Sequence, residues 1–208
     1  MPDRLIERTL RAFSDELSAD TPVPGGGSAA AYAGAMGAAL AAMVARIASK
    51  KEGSEPARAF AEEMDALRAQ FLRFVDEDSA SYAQVAAAMK LPRKTDEEKA
   101  ARQERMQTAL LVASHVPLEV ARTARRLLDA CERGVELASP MTASDVGVGA
   151  LMAEAALRGA ALNVMINLAS VKDPAQVKAL SEDLDHTLEG TDEQRRRITD
   201  FIESRIAR

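Results

Sequence analysis

From Thr21 to Ala45 the chain carries no charged residue, and no other stretch constrains its folding as much. The segment is long enough to cross a bilayer. However, it opens with Pro22, Pro24 and three consecutive glycines, and it continues mainly as Ala and Gly. Its bulky residues, Tyr32, Met36, Leu40, Met43 and Val44, recur at helical spacing along one stripe. Hydropathy and spacing together favour a buried helix of a soluble protein over a membrane span. Met1 to Leu17 is charged and amphipathic, unlike a secretory leader.

Helical patterns follow one another along the rest of the chain, and nothing reads as a strand. Residues 3–18 predict an amphipathic helix with Leu5, Ile6, Leu10, Phe13 and Leu17 on one side. Asp20 to Gly27 is a Pro/Gly loop, and Ser28 is expected to cap the Ala-rich helix, which runs to about Ser49. A polar break over Lys50 to Glu55 precedes Pro56, which suits the first turn of a helix running to about Lys90. Leu91-Pro92 ends that helix. Thr95-Asp96-Glu97-Glu98 then reads as a capping box. The helix it starts meets Pro117, which is expected to kink or restart it. After Gly134 the pattern lapses until Thr142 or Ser144 caps a second Ala/Gly-rich helix ending near Ala169. Asp173-Pro174 starts a shorter helix. Thr191 is the expected cap of the last one, whose stripe is Ile198, Phe201, Ile202 and Ile206.

Composition agrees with this reading. Aromatic residues make up 3% of the chain, Trp is absent, and good helix formers dominate. The expectation is one all-α domain over residues 1–208, a helical bundle with the two Ala/Gly-rich helices at its centre. Helices so poor in side-chain bulk approach their neighbours closely, which makes them natural central or interface helices and favours a homodimer.

The net charge of −5, with both signs interspersed, argues against a nucleic-acid surface. The single Cys131 excludes an intrachain disulfide, reads as a buried apolar residue, and fits a reducing cytoplasm. His115 and His186 are far apart, no His-x-x-x-His or P-loop is present, and no metal site is expected.

Some polar features remain that ordinary helix packing leaves open. Pro24, Gly25, Gly26, Gly27 and Ser28 enter a helix, where bare backbone N–H groups and the helix dipole suit a carboxylate or phosphate; a plain capped turn is the alternative. Asp76, Glu77 and Asp78 sit inside a helix among apolar neighbours, with Tyr82 one turn beyond Asp78. A carboxylate on a bundle-facing surface stabilises a cation or moves a proton, whereas on the outer face it is merely solvated. Asn163 and Asn167 present two amides to one side of an otherwise apolar helix, either to a polar ring or to a neighbouring helix. Lys50 and Lys51 complement the dipole at the end of the Ala-rich helix.

Taken together, these segments resemble the formiminotetrahydrofolate cyclodeaminase / methenyltetrahydrofolate cyclohydrolase family. Thr21-Pro22-Val23-Pro24-Gly25-Gly26-Gly27-Ser28 is similar to its PTPGGGS opening, and Leu91 to Lys99 to its LPKxTxEEK segment. Ser144-Asp145-Val146-Gly147-Val148-Gly149 resembles SDxGVG, and Ala160 to Asn167 resembles AALNVxxN. The matches run in the same order over nearly the whole chain. Three positions depart from the family pattern: Ser49 to Gly53 replaces a lysine-rich stretch ending in an aromatic, Arg93 replaces Lys, and Ala83 follows Tyr82.

The resemblance implies an all-helical homodimer that uses no metal or cofactor beyond its tetrahydrofolate substrate. That substrate is 5,10-methenyl-tetrahydrofolate, opened by water, or 5-formimino-tetrahydrofolate, cyclised with loss of ammonia. Carried over by position, it implies Asp78 as the first candidate catalytic carboxylate and Asp145 as the second. Pro24, Gly25, Gly26, Gly27, Ser28 and Tyr82 are expected to line the folate site, with Asn163 and Asn167 near the pterin and Lys50 near the glutamate tail. No formiminotransferase segment precedes these motifs, so the expectation leans to a stand-alone cyclohydrolase. The competing expectation is a non-catalytic folate-binding or interaction paralogue that keeps the fold.

Overall fold

The computed structural model describes residues 4–50 and 54–206, so Lys51, Glu52 and Gly53 of the polar break lie outside the described residues. Helix α1 spans Leu10–Leu17, α2 Gly26–Ala48, α3 Glu55–Met89, α4 Asp96–Gly134, α5 Ala143–Leu168, α6 Pro174–Leu188 and α7 Thr191–Ile206. Short 3-10 turns occupy Leu5–Glu7 and Val135–Leu137, and no strand occurs among the described residues. The fold is the expected all-α bundle.

The two Ala/Gly-rich helices, α2 and α5, lie side by side at its centre and run antiparallel. Gly26 faces Asn163, Gly159 faces Ala30, and Gly37 faces the Gly149 backbone. A Cβ on Gly37 would lie 2.9 Å from the Gly149 carbonyl oxygen, so this approach depends on the absence of side chains. On its other side α2 packs against α3, where a Cβ on Gly34 would lie 2.4 Å from the Phe71 ring. The neighbours supply the bulk that α2 and α5 lack. Met64, Leu67 and Phe71 of α3, and Leu118, Leu127 and Leu128 of α4, are fully buried, each contributing about 1.5–3 kcal/mol by leaving water. Cys131 is buried as expected, and burial pushes its thiol up to about 12.

Several local expectations shift, some through a tertiary partner and some through a neighbouring turn. The first helix is divided: Thr9 accepts the Ala12 N–H and restarts the chain as α1, while Asp76 of α3 holds Arg4 and the Leu5 N–H upstream. Gly25, not Ser28, is the N-cap of α2, because the Ser28 hydroxyl is drawn to α3. Thr142 is the N-cap residue of α5, but its side chain accepts the Ser139 N–H and makes no cap bond to the helix. Thr191 is already helical and donates to the Leu188 carbonyl, with Gly190 turning the chain at φ 70°. The Thr95–Glu98 capping box forms as expected.

Pro117 neither ends nor restarts α4, which runs unbroken across it. A helical proline leaves the carbonyl four residues earlier without its N–H partner. Here that carbonyl belongs to Ala113, and the Asn167 side-chain amide of α5 donates to it at 2.6 Å. A neighbouring helix thus supplies the bond that the proline removes.

Candidate functional site

The antiparallel register sets three chain segments around the first turn of α2. Asp78 approaches from α3, Asn163 from α5, and between them lie the glycines that open α2. The N–H groups of a helix's first turn have no partner within the helix and carry its positive end.

Asp78 is half-buried, and its environment is specific. Its Oδ2 lies 2.9 Å from the Ser28 hydroxyl. That hydroxyl also lies 3.0 Å from the Val75 carbonyl and 3.2 Å from the Ser79 hydroxyl. Ser28 is fully buried, so its role is to hold the carboxylate rather than to meet a ligand directly. Oδ1 lies over Gly27, where a Cβ would fall only 2.1 Å from it. The carboxylate therefore occupies space that any side chain at position 27 would fill. Burial raises the Asp78 pKa from its ordinary value, while hydrogen bonds from the Ser28 side chain and backbone pull it back. A carboxylate held between these opposing effects is a candidate for proton transfer.

Gly26 keeps the α5 side open: a Cβ there would lie 3.5 Å from the Asn163 side-chain nitrogen, which itself donates to the Gly159 carbonyl at 2.8 Å. Asn167 lies one turn further along, with its amide committed to Ala113. Tyr82 stands one turn beyond Asp78 on α3 and is partly exposed. Pro24 is buried beneath the loop, and Gly25 passes 3.4 Å from the Pro22 carbonyl at its would-be Cβ.

Within one chain, the structure gathers Gly25, Gly26, Gly27, Ser28, Asp78 and Asn163 at this end of the bundle. It does not bring Lys50 or Asp145 to them. Lys50 follows α2 at its opposite end, about 36 Å along the axis from Gly26. Asp145 sits in the first turn of α5, about 27 Å along that helix from Asn163. The Ser144–Gly149 motif serves packing: Gly147 meets Ile202 of α7, and Gly149 meets Gly37. Asp76 likewise anchors the N-terminal segment. Ser79 was not singled out by sequence, where a serine beside an acidic run looks like a surface residue. His115 and His186 are exposed, and no metal-holding group of His, Cys, Asp or Glu side chains occurs among the described residues.

The structure is thus an all-helical bundle that presents a half-buried carboxylate to a glycine-rich helix start. Residues 9–186 match the family model described as formiminotransferase-cyclodeaminase, and the chain belongs to that family. It is 37% identical over 202 residues to the methenyltetrahydrofolate cyclohydrolase of Methylorubrum extorquens, covering 95% of this chain and 97% of that protein. It is 32% identical over 207 residues to the formimidoyltransferase-cyclodeaminase of Sus scrofa, covering 98% of this chain but 38% of that longer protein. The crystal structure of formiminotetrahydrofolate cyclodeaminase from Thermotoga maritima superposes with a TM-score of 0.82 at 28% identity, covering 95% of this chain and 97% of that one.

Proposed function

We propose that the chain is a tetrahydrofolate one-carbon enzyme that hydrolyses 5,10-methenyl-tetrahydrofolate to 10-formyl-tetrahydrofolate. Cyclisation of 5-formimino-tetrahydrofolate with loss of ammonia is the related reaction of the same site. The Asp78 carboxylate, held by Ser28 over bare Gly27, carries this reading. The methenyl bridge is a cationic amidinium carbon. Asp78 takes a proton from the attacking water as the C–O bond forms and passes it to N5 as the C–N5 bond breaks; the remaining hydroxyl proton leaves to solvent as the carbonyl forms, so the formyl group stays on N10 and one proton is released. A fixed anion beside that cation also lowers the barrier electrostatically. Asn163 orients the pterin, with Asn167 behind it and Tyr82 along the arm. The reaction draws on no cofactor beyond the folate, which carries one or more γ-linked glutamates.

The near-full-length likeness to a cyclohydrolase supports water as the nucleophile. Decay of the near-ultraviolet absorbance of 5,10-methenyl-tetrahydrofolate tests it. Saturable acceleration above the uncatalysed rate is expected. Ammonia release from 5-formimino-tetrahydrofolate without that acceleration would reassign the chain as a cyclodeaminase, and silence in both assays would leave a non-catalytic paralogue.

The working form is proposed to be a cytoplasmic homodimer, independent of membranes and nucleic acid. Helices α2 and α5 are long and apolar enough to cross a membrane, but most of their small residues pack inside the bundle. What they expose is an apolar stripe on each helix: Met36, Met43 and Ile47 of α2, and Leu151, Leu162 and Ile166 of α5, the last two 67% and 70% exposed. A second copy covers those stripes. Sedimentation is expected to give twice the chain mass for the wild type and the single-chain mass for Leu162→Glu/Ile166→Glu. A monomeric wild type would reject the dimer.

A further inference from the structure

The hydroxyl groups behind Asp78 form an ordered chain. Val75, Asp78 and Ser79 share one face of α3, because they lie three and four residues apart. The Ser28 hydroxyl of α2 enters that face within reach of all three. It lies 3.0 Å from the Val75 carbonyl, 2.9 Å from Asp78 Oδ2 and 3.2 Å from the Ser79 hydroxyl. Ser28 is fully buried, so bulk water does not reach it.

A hydroxyl has one proton to give and two lone pairs with which to accept. An ionised Oδ2 at 2.9 Å tolerates only a donor, so Ser28 must point its proton there. Among the described residues, Ser28 is the hydrogen-bond partner of the Ser79 hydroxyl, which must then be the donor of their bond. When Asp78 is protonated the order turns round Ser28. The carboxyl donates to Ser28, the Ser28 proton turns to the Val75 carbonyl, and Ser79 still donates. The carboxyl thus changes charge without moving.

The neighbouring charges are engaged elsewhere. On α3, Asp76 is held by Arg4 and the Leu5 N–H, and Glu77 is exposed. In the N-terminal segment Arg8 pairs with Glu16. On α2 the nearest ionisable residue is Tyr32, one turn beyond Ser28 and packed against Phe13; on α5 it is Arg158, which is turned to Asp192. What acts on Asp78 besides burial is Ser28, through its hydroxyl and its backbone N–H.

We infer that Ser79 is a positioning residue for the carboxylate: by donating to Ser28 it fixes the Ser28 proton on Asp78 and favours the ionised, proton-accepting form. A hydroxyl that receives a hydrogen bond donates more strongly, so the Ser79 bond strengthens the one made to Oδ2. Its bearing on turnover rests on the reading of Asp78 as the base of the folate reaction. Its bearing on the titration of Asp78 does not.

The test follows the Asp78 carboxyl carbon by NMR through a pH titration of the full chain, with Asp78→Asn assigning the signal. In Ser79→Ala the midpoint is expected to move up, because the charged form loses support. In kinetics, kcat/KM is expected to fall about threefold on the acid limb, the scale of one modest hydrogen bond, and by less at the high-pH plateau. Ser79→Thr keeps the hydroxyl and is expected to restore both. Ser81→Ala is the control: it removes a hydroxyl that donates to the Asp78 backbone carbonyl at 2.8 Å, and it should leave the midpoint in place. In a Ser28→Ala background, replacing Ser79 as well should add nothing, since Ser79 acts through Ser28. An unmoved midpoint in Ser79→Ala, an equal move in Ser81→Ala, or a further move when Ser79→Ala joins Ser28→Ala would overturn the inference. The titration needs no substrate. A Ser79-dependent midpoint in a protein without turnover removes the catalytic reading and leaves the inference standing, whereas turnover with an unmoved midpoint does the reverse.

Discussion

Asp78→Asn is expected to lower kcat for 5,10-methenyl-tetrahydrofolate by at least about a hundredfold while leaving the protein folded, the scale of losing a positioned general base. The substitution keeps an oxygen that can accept from the Ser28 hydroxyl, so the local packing is retained. It removes only the ability to take a proton and the negative charge. Loss of turnover together with loss of cooperative unfolding would instead make Asp78 a structural residue.

The raised pKa of Asp78 adds a second, independent readout. Its ordinary value is 3.8, and burial lifts it in the folded protein. The folded state therefore prefers the protonated carboxyl. The stability this contributes is fully present below the unfolded pKa and is lost as pH rises through the folded one. Asn has no such titration. Thermal unfolding should thus favour wild type over Asp78→Asn more at acid pH than at pH 7, an order reversed if the carboxylate were stabilised by its surroundings. In kinetics, the acid limb of the wild-type profile should be shifted upward from the ordinary aspartate value, since Asp78 must be ionised to accept the water's proton.

Gly27→Ala should be nearly as damaging, for a steric reason. The added Cβ would lie 2.1 Å from Oδ1, 2.5 Å from Cγ and 2.8 Å from Oδ2 of Asp78, overlapping the whole carboxylate. The side chain of Asp78 is short, so it can escape only by rotating away from Ser28 and out of the site. Turnover should fall by about a hundredfold, and unfolding should cost about 1–3 kcal/mol less, as for other overpacked sites. Gly26→Ala is the control, because its Cβ meets nothing closer than 3.5 Å, and it should keep the wild-type melting temperature. A Gly27→Ala protein with full activity would show that the carboxylate does not need its observed position.

Much of the fold could be read from the sequence, because helix signals are local. The capping box at Thr95, the proline in the first turn of α3 and the apolar stripe of α7 are settled by residues within a turn or two of one another. Ser28 and Pro117 each have an ordinary local role, and each meets a residue far away in sequence, Asp78 of α3 and Asn167 of α5, while Thr142 is taken up by Ser139 within its own loop.

The candidate site divides the same way. The sequence by itself determined that this is an all-helical chain with two side-chain-poor helices, and it singled out Asp78, the glycine loop and Asn163 as candidates through residue type, spacing and the family resemblance. Only the tertiary structure decided which of them meet. The antiparallel register of α2 against α3 and α5 joins Gly27 to Asp78 and Gly26 to Asn163, and carries Lys50 and Asp145 to the far end. Register between helices is set by how glycines and large side chains interlock over the whole contact, as Gly34 does with Phe71 and Gly37 with Gly149, and no short stretch of sequence contains that information.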